Sequence, residues 1–301
     1  MFLRLAILLL PLTSALAAEV FQVTWPTQAA SPPPRLSPEA EQLLPVFRLG
    51  LDHLPEATVV DMCLAQPLIL GLTREQAATL RPLAAERYAL IAKNPAYARA
   101  PSALSYCFAP AKPGHGLASV HVPDHAGPDT PVIVFIHGYG GSFLWYQHFL
   151  AEVFPDHILI CPAYGITTAT IPQEYVTEAV AAVERKLNRK IRSPALVGLS
   201  AGGFGACRLY ARHPERYARH LSLAAYPPED VLNVFPREAR PAFLSGGDEA
   251  FVVSGDFARR MRIVRAVCPS AQAGTIPGAG HFFMLTHRDQ TVTALRTWMG
   301  R

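Results

Sequence analysis

Residues 195–205, Ala-Leu-Val-Gly-Leu-Ser-Ala-Gly-Gly-Phe-Gly, constrain this chain more than any other stretch. An apolar run leads into a serine flanked by glycines, and a helix-forming segment follows. The pattern reads as strand, sharp turn and helix. At the tip of such a turn the serine takes strained backbone angles, and its hydroxyl projects above the sheet edge with a helix N-terminus behind it. Gly198 and Gly202 are required because a Cβ at either place would strike the neighbouring strand or helix. Ser200 is therefore the candidate nucleophile.

A serine hydroxyl is a weak nucleophile and needs a base within reach, itself oriented by an acid. Three further signals supply those parts. Val132 to Ile136 is a buried-strand run ending in His137-Gly138-Tyr139-Gly140-Gly141. Ala242 to Gly247 is a second short strand that delivers Asp248. Pro277-Gly278-Ala279-Gly280-His281 is a glycine-rich loop carrying a histidine. His281 is the expected base and Asp248 the expected acid, with Asp256 and Asp230 as alternatives. His213, His220 and His287 lack that placement, and His137 is expected to hold the loop that follows it. The backbone amides of Tyr139 and Ala201 are the expected donors to a developing oxyanion.

The chain order Ser, Asp, His resembles that of the α/β-hydrolases. Within that superfamily, His137-Gly138-Tyr139-Gly140-Gly141 and the run 198–206 resemble the esterases grouped with esterase D and the feruloyl esterases. The resemblance covers about 103–301. It implies a serine hydrolase that cleaves carboxylic esters through an acyl-enzyme, with no metal or organic cofactor, on a small-molecule or polymer-linked ester. A peptidase or acyltransferase using the same groups, or a silent hydrolase-fold binding protein, are the alternatives, because the constellation does not set the leaving group or acceptor.

The rest of the chain bounds the setting. Of 301 residues half are hydrophobic, enough to bury a large core, and a net charge of +4 without a Lys/Arg run argues against nucleic acid as a partner. Residues 1–17 carry Arg4, an apolar run and Ala15-Leu16-Ala17, which reads as a signal peptide cleaved after Ala17 and implies a periplasmic or secreted protein. The apolar run is too short for a membrane span. Residues 18–38, with Ser31-Pro32-Pro33-Pro34, read as a proline-rich linker. Residues 39–102 read as a mostly helical segment: one helix opens at Ser37-Pro38 and is interrupted by Pro45. A clearer one begins at the capping box Thr73-Arg74-Glu75-Gln76 and buries Ala77, Leu80, Leu83, Ala84 and Leu90. The segment is the one sizeable block left to shape a substrate pocket, and covering the sheet edge or a helix layer is the favoured alternative.

Residues 103–301 read as the catalytic domain. The strand pair 103–108 and 117–122 is expected first, then strands at 132–136, 157–161, 195–199, 219–225, 241–246 and 272–276. The helices expected between and after them are 142–153, 172–190, 201–213, 255–267 and 283–299. That alternation requires a mostly parallel sheet with helices on both faces. On 172–190, Val176, Ala179, Val180, Val183 and Leu187 should face the sheet while Arg185, Lys186 and Arg189 stay in water. The short spacer before Asp248 leaves no room for a helical lid. Among the five cysteines, Cys63 and Cys107 are expected to pair, Cys207 to be a buried thiol, and no Cys/His spacing fits zinc.

Overall fold

A computed structural model describes residues 18–29, 49–66, 72–108, 114–139 and 143–300. The strands are β1 Glu19–Pro26, β2 His115–Val122, β3 Val132–Ile136, β4 Ile158–Ala163, β5 Ala195–Leu199, β6 Arg219–Leu223, β7 Pro241–Gly246 and β8 Gln272–Ile276. They form one eight-stranded sheet in the order β1-β2-β4-β3-β5-β6-β7-β8. The pairs from β4 through β8 are parallel, and β2 is antiparallel to both neighbours. The central strands are buried on both faces, as β3 and β5 show along their whole lengths. Helices cover both faces, so the expected parallel α/β architecture is the one observed.

The helices are α1 Glu56–Ala65, α2 Arg74–Lys93, α3 Leu104–Phe108, α4 Phe143–Val153, α5 Gln173–Leu187, α6 Ala201–Arg212, α7 Ala250–Val253, α8 Asp256–Val267, α9 Phe283–Thr286 and α10 Arg288–Met299. The capping box is present on α2: the Gln76 amide donates to Thr73 Oγ1 (3.1 Å) and the Thr73 amide donates to Gln76 Oε1 (2.9 Å). Ala77, Leu80 and Ala84 are buried as expected, but Leu90 faces out, and Tyr88 and Ile91 complete the inner face. On α5 the stripe Val176, Ala179 and Val183 packs inward. Arg189, expected in water, instead donates to the carbonyls of Gly127 (2.7 Å) and Thr130 (2.8 Å), tying the end of that helix to the β2–β3 connection.

Two expectations fail in a way that changes the domain plan. Residues 19–26, expected within a linker, are the edge strand β1. Trp25 is buried against Tyr175, its indole N–H donating to Glu178 Oε2 at 3.1 Å. Residues 103–108, expected as a strand, form α3, because the Ser102 hydroxyl accepts the Leu104 amide at 3.2 Å and turns the chain into a helix. The helical segment thus lies between the first two strands of the sheet rather than ahead of it. The expected signal peptide 1–17 and the helix opening at Ser37 with its break at Pro45 lie outside the described residues.

The cysteine pairing is also corrected. All five cysteines are free and buried. Cys63 packs with Leu51, Val59 and Leu104, while Cys107 belongs to the core cluster that holds Cys161, so the two thiols serve separate apolar clusters. Cys207 is buried in α6, as expected. Residues 224–240 carry one 3-10 turn, Glu229–Val231, and no lid. Among the described residues no helix is long and apolar enough to cross a membrane.

Candidate active site

The chain turns sharply between β5 and α6. Ser200 sits there at φ 52° and ψ −118°, a conformation that L residues rarely adopt. Its amide donates to the Leu223 carbonyl at 2.8 Å and its carbonyl accepts the Phe204 amide at 3.1 Å, so both sides of the strained residue are tied down. The flanking glycines are obligatory. A Cβ on Gly198 would lie 2.2 Å from the Gly202 carbonyl oxygen, and one on Gly202 would lie 2.3 Å from the carbonyl oxygens of Ile136 and His137. α6 is thereby packed directly on β5 and on the end of β3.

The end of β3 brings in the second loop. A Cβ on Gly138 would stand 3.1 Å from the Leu199 carbonyl and 3.3 Å from the Ser200 Cβ, so this backbone lies against the serine turn. His137 is fully buried. Its Nδ1–H donates to the Gly138 carbonyl (2.8 Å) and its Nε2 accepts the Tyr164 amide (3.2 Å), and burial pulls its pKa down to about 4. It is a neutral strut for the loop, the role expected for it. Tyr139 is exposed and lines the same cavity as Ser200. Ala201 opens α6, where first-turn amides have no helical carbonyl behind them.

His281 lines that cavity too, from the loop after β8. Its Nδ1 faces Glu249, at 3.1 Å from Oε1 and 3.2 Å from Oε2. An ionised carboxylate only accepts, so the hydrogen sits on Nδ1 and Nε2 is left as the basic nitrogen. The expected acid was Asp248, but the carboxylate that the structure places against the ring is its neighbour Glu249. The Gly247 amide donates to the Ile276 carbonyl (2.7 Å) and the Asp248 amide to the Ala279 carbonyl (2.9 Å), locking the turn after β7 to the histidine loop. In that register Asp248 is exposed, whereas the Glu249 side chain is only 9% exposed and carries the extra methylene needed to reach the ring. The alternatives are engaged elsewhere: Asp230 with Arg208 and Arg212, and Asp256 with Arg259 and Arg260. Those guanidiniums hold both carboxyls below their ordinary range.

A buried carboxylate that sequence reasoning missed sits at the start of α4, the next helix in the chain after Gly138 and Tyr139. Glu56, in the first turn of α1, is 3% exposed and accepts from the Tyr88 hydroxyl (2.7 Å), the Ser102 hydroxyl (3.2 Å) and the Leu144 amide (3.0 Å), with the Trp145 amide adding a fourth donor. It therefore caps the N-terminus of α4, the helix that follows the loop, and joins it to α1, α2 and the start of α3. Burial raises its pKa, and the hydrogen bonds oppose that rise. Isolated in sequence between Pro55 and Ala57, it carries no motif that would have singled it out.

The cavity has a volume of about 220 Å³ and joins Ser200, His281, Gly138 and Tyr139 to side chains of α1 and α2. Of the two roles expected for the helical segment, shaping a pocket is the one seen: both helices line the cavity. Among the described residues no group of three or more His, Cys, Asp or Glu is placed to hold a metal ion.

Residues 131–251 match the family model described as alpha/beta hydrolase fold. A biotin biosynthesis bifunctional protein, BioHC, of Teredinibacter turnerae is 30% identical over 115 residues, which are 36% of this chain and 19% of that protein, so the chain spans about a fifth of the relative's length. Similar solved structures include the LpqC poly(3-hydroxybutyrate) depolymerase of Bordetella parapertussis, at 16% identity and TM-score 0.47 over 62% of this chain and 85% of that one. They also include carboxylesterase CesB of Bacillus subtilis, at 15% identity and TM-score 0.45 over 61% and 88%. The sheet order and the strained serine turn after β5 give this chain an alpha/beta hydrolase fold, and the family model of that fold matches its central strands.

Proposed function

We propose that this protein is a serine hydrolase that cleaves carboxylic esters through an acyl-enzyme on Ser200. The observation that carries the reading is the convergence on one cavity of Ser200, His281 with its Nδ1 held by Glu249, and the Gly138–Tyr139 backbone. In the first half-reaction Ser200 Oγ attacks the ester carbonyl while its proton passes to His281 Nε2. Amides of Ala201 and Tyr139 stabilise the tetrahedral oxyanion. The C–O bond to the alcohol then breaks, the alcohol departs with the proton from His281, and the acyl group stays on Ser200. Water repeats the sequence and releases the acid. Glu249 orients the ring and stabilises the imidazolium, the part first expected of Asp248.

The protein acts on a small-molecule or polymer-linked ester, and the leader-like residues 1–17 support export before it does so. The test is a panel of p-nitrophenyl esters, aminoacyl arylamides and acyl acceptors. Turnover of the esters, lost in Ser200→Ala, is expected. Arylamide cleavage or acyl transfer outpacing ester hydrolysis would make it a peptidase or an acyltransferase, and no turnover at all would make it a binding protein.

A further inference from the structure

Resting on the ester-hydrolase reading, the geometry points to the substrate's reach: the wall that α1 and α2 raise beside Ser200 is a binding site for an unbranched or phenyl-bearing apolar arm of the ester, about six to eight carbons long. The cavity of about 220 Å³ runs from Ser200 between Val59, Leu64, Leu80, Ala84, Leu104 and Leu285. Its lining carries no carboxylate, ammonium or guanidinium among the described residues. Tyr88, which borders it, spends its hydroxyl on Glu56, and burial pushes the Cys63 thiol up, so both present neutral and largely apolar surface.

Those facts set chemistry and size. Apart from Ser200, the lining's polar atoms are few: the Tyr139 and Tyr146 hydroxyls, the His281 ring and the unpaired Trp145 indole N–H. Most hydroxyls of a sugar in this space would therefore lose their water without gaining a partner. Hydrocarbon loses nothing of that kind. At roughly 30 Å³ for each small non-hydrogen unit, as for a water molecule, the volume takes about seven such atoms, more than the benzene that fits an apolar cavity of about 150 Å³. The wall is made from the segment inserted between β1 and β2, so chain length is read by residues outside the central sheet.

The experiment measures kcat/KM for p-nitrophenyl esters from acetate to dodecanoate, and for acetate esters of alcohols from ethanol to dodecanol. The arm that enters the cavity is expected to gain about fourfold per methylene, the ~0.8 kcal/mol of a buried CH₂, up to about eight carbons, with a fall beyond. Whichever series shows the optimum identifies the acyl or the alcohol side. Ala84→Leu should move the optimum to shorter chains and Leu80→Ala to longer ones, opposite shifts that general damage to the fold would not produce. Calorimetric titration of Ser200→Ala with octanoate and with acetate reads the cavity without catalysis, and octanoate should bind at least tenfold more tightly. An active enzyme with a flat or acetate-centred profile, or variants that share one optimum, would overturn the inference and leave the catalytic reading standing. Absence of ester turnover would overturn the catalytic reading, and the octanoate titration would then decide the cavity alone.

Discussion

The Nδ1 of His281 lies 3.1 Å from Glu249 Oε1, while the adjacent Asp248 is turned to solvent. Two neighbouring carboxylates thus have different positions for a backbone reason: the amide of Asp248 is committed to the Ala279 carbonyl at 2.9 Å, which sends its side chain outward. Glu249→Gln should therefore leave the fold intact and lower kcat by about 10³ to 10⁴, because an amide facing Nδ1 favours the wrong imidazole tautomer. Asp248→Asn should stay within about threefold of the parent. Ester kinetics with the two variants check this, and a larger loss for Asp248→Asn would return the acid to its neighbour.

Glu56 gathers four donors from separate parts of the chain in a site 3% exposed. Glu56→Ala removes the acceptor that the Leu144 and Trp145 amides share at the start of α4. At about 1 to 3 kcal/mol for each buried orphan, a stability loss of at least about 2 kcal/mol is expected. Because α4 is the next helix in the chain after Gly138 and Tyr139, kcat should fall more than KM rises. Urea denaturation and steady-state kinetics on the same preparation test both, and an unchanged midpoint would contradict the capping role.

How much of this was legible beforehand follows from the kind of signal each part carries. β3 and β5 are apolar throughout and bounded by turns, because strands buried on both faces need no alternation. The serine turn is legible because its glycines answer close backbone contacts that no other residue tolerates. β1 was hidden by its neighbours: Phe21, Val23 and Trp25 alternate with Gln22 and Thr24, yet the prolines that follow drew the whole stretch into a linker. α3 was read as a strand because five residues rich in aromatic and apolar side chains have no measurable period, and one hydroxyl, Ser102, decides the matter. That Glu249 rather than Asp248 faces the His281 ring was hidden because reach depends on the register between two loops. The pocket wall and Glu56 join residues far apart in the chain, and their contacts exist only after folding.

Buried histidines make stability depend on acidity. Burial lowers the pKa of His121 and His137 to about 4 and that of His220 to about 3, against an ordinary value of 6.5. Above pH 6.5 these rings are neutral in both states and the stability is fully present. As the pH falls below 6.5 the unfolded chain takes up protons that the folded one refuses, so stability is lost progressively down to about pH 4. With three such groups the slope approaches about 4 kcal/mol per pH unit. Denaturant titrations at pH 7, 6 and 5 should show the decline. His220→Phe, which keeps a ring between Tyr210 and Phe243, should make the slope shallower. An unaltered slope would remove His220 from the account.

The claim that Ser200 is an activated nucleophile is tested most directly by mass spectrometry after exposure to a fluorophosphonate ester. The account predicts one stoichiometric phosphonyl adduct on the peptide that holds Ser200, absent in Ser200→Ala, and slowed by at least about a hundredfold in His281→Ala because the base that activates the hydroxyl is gone. No adduct on the intact protein, or an adduct on another residue that persists in Ser200→Ala, would contradict it.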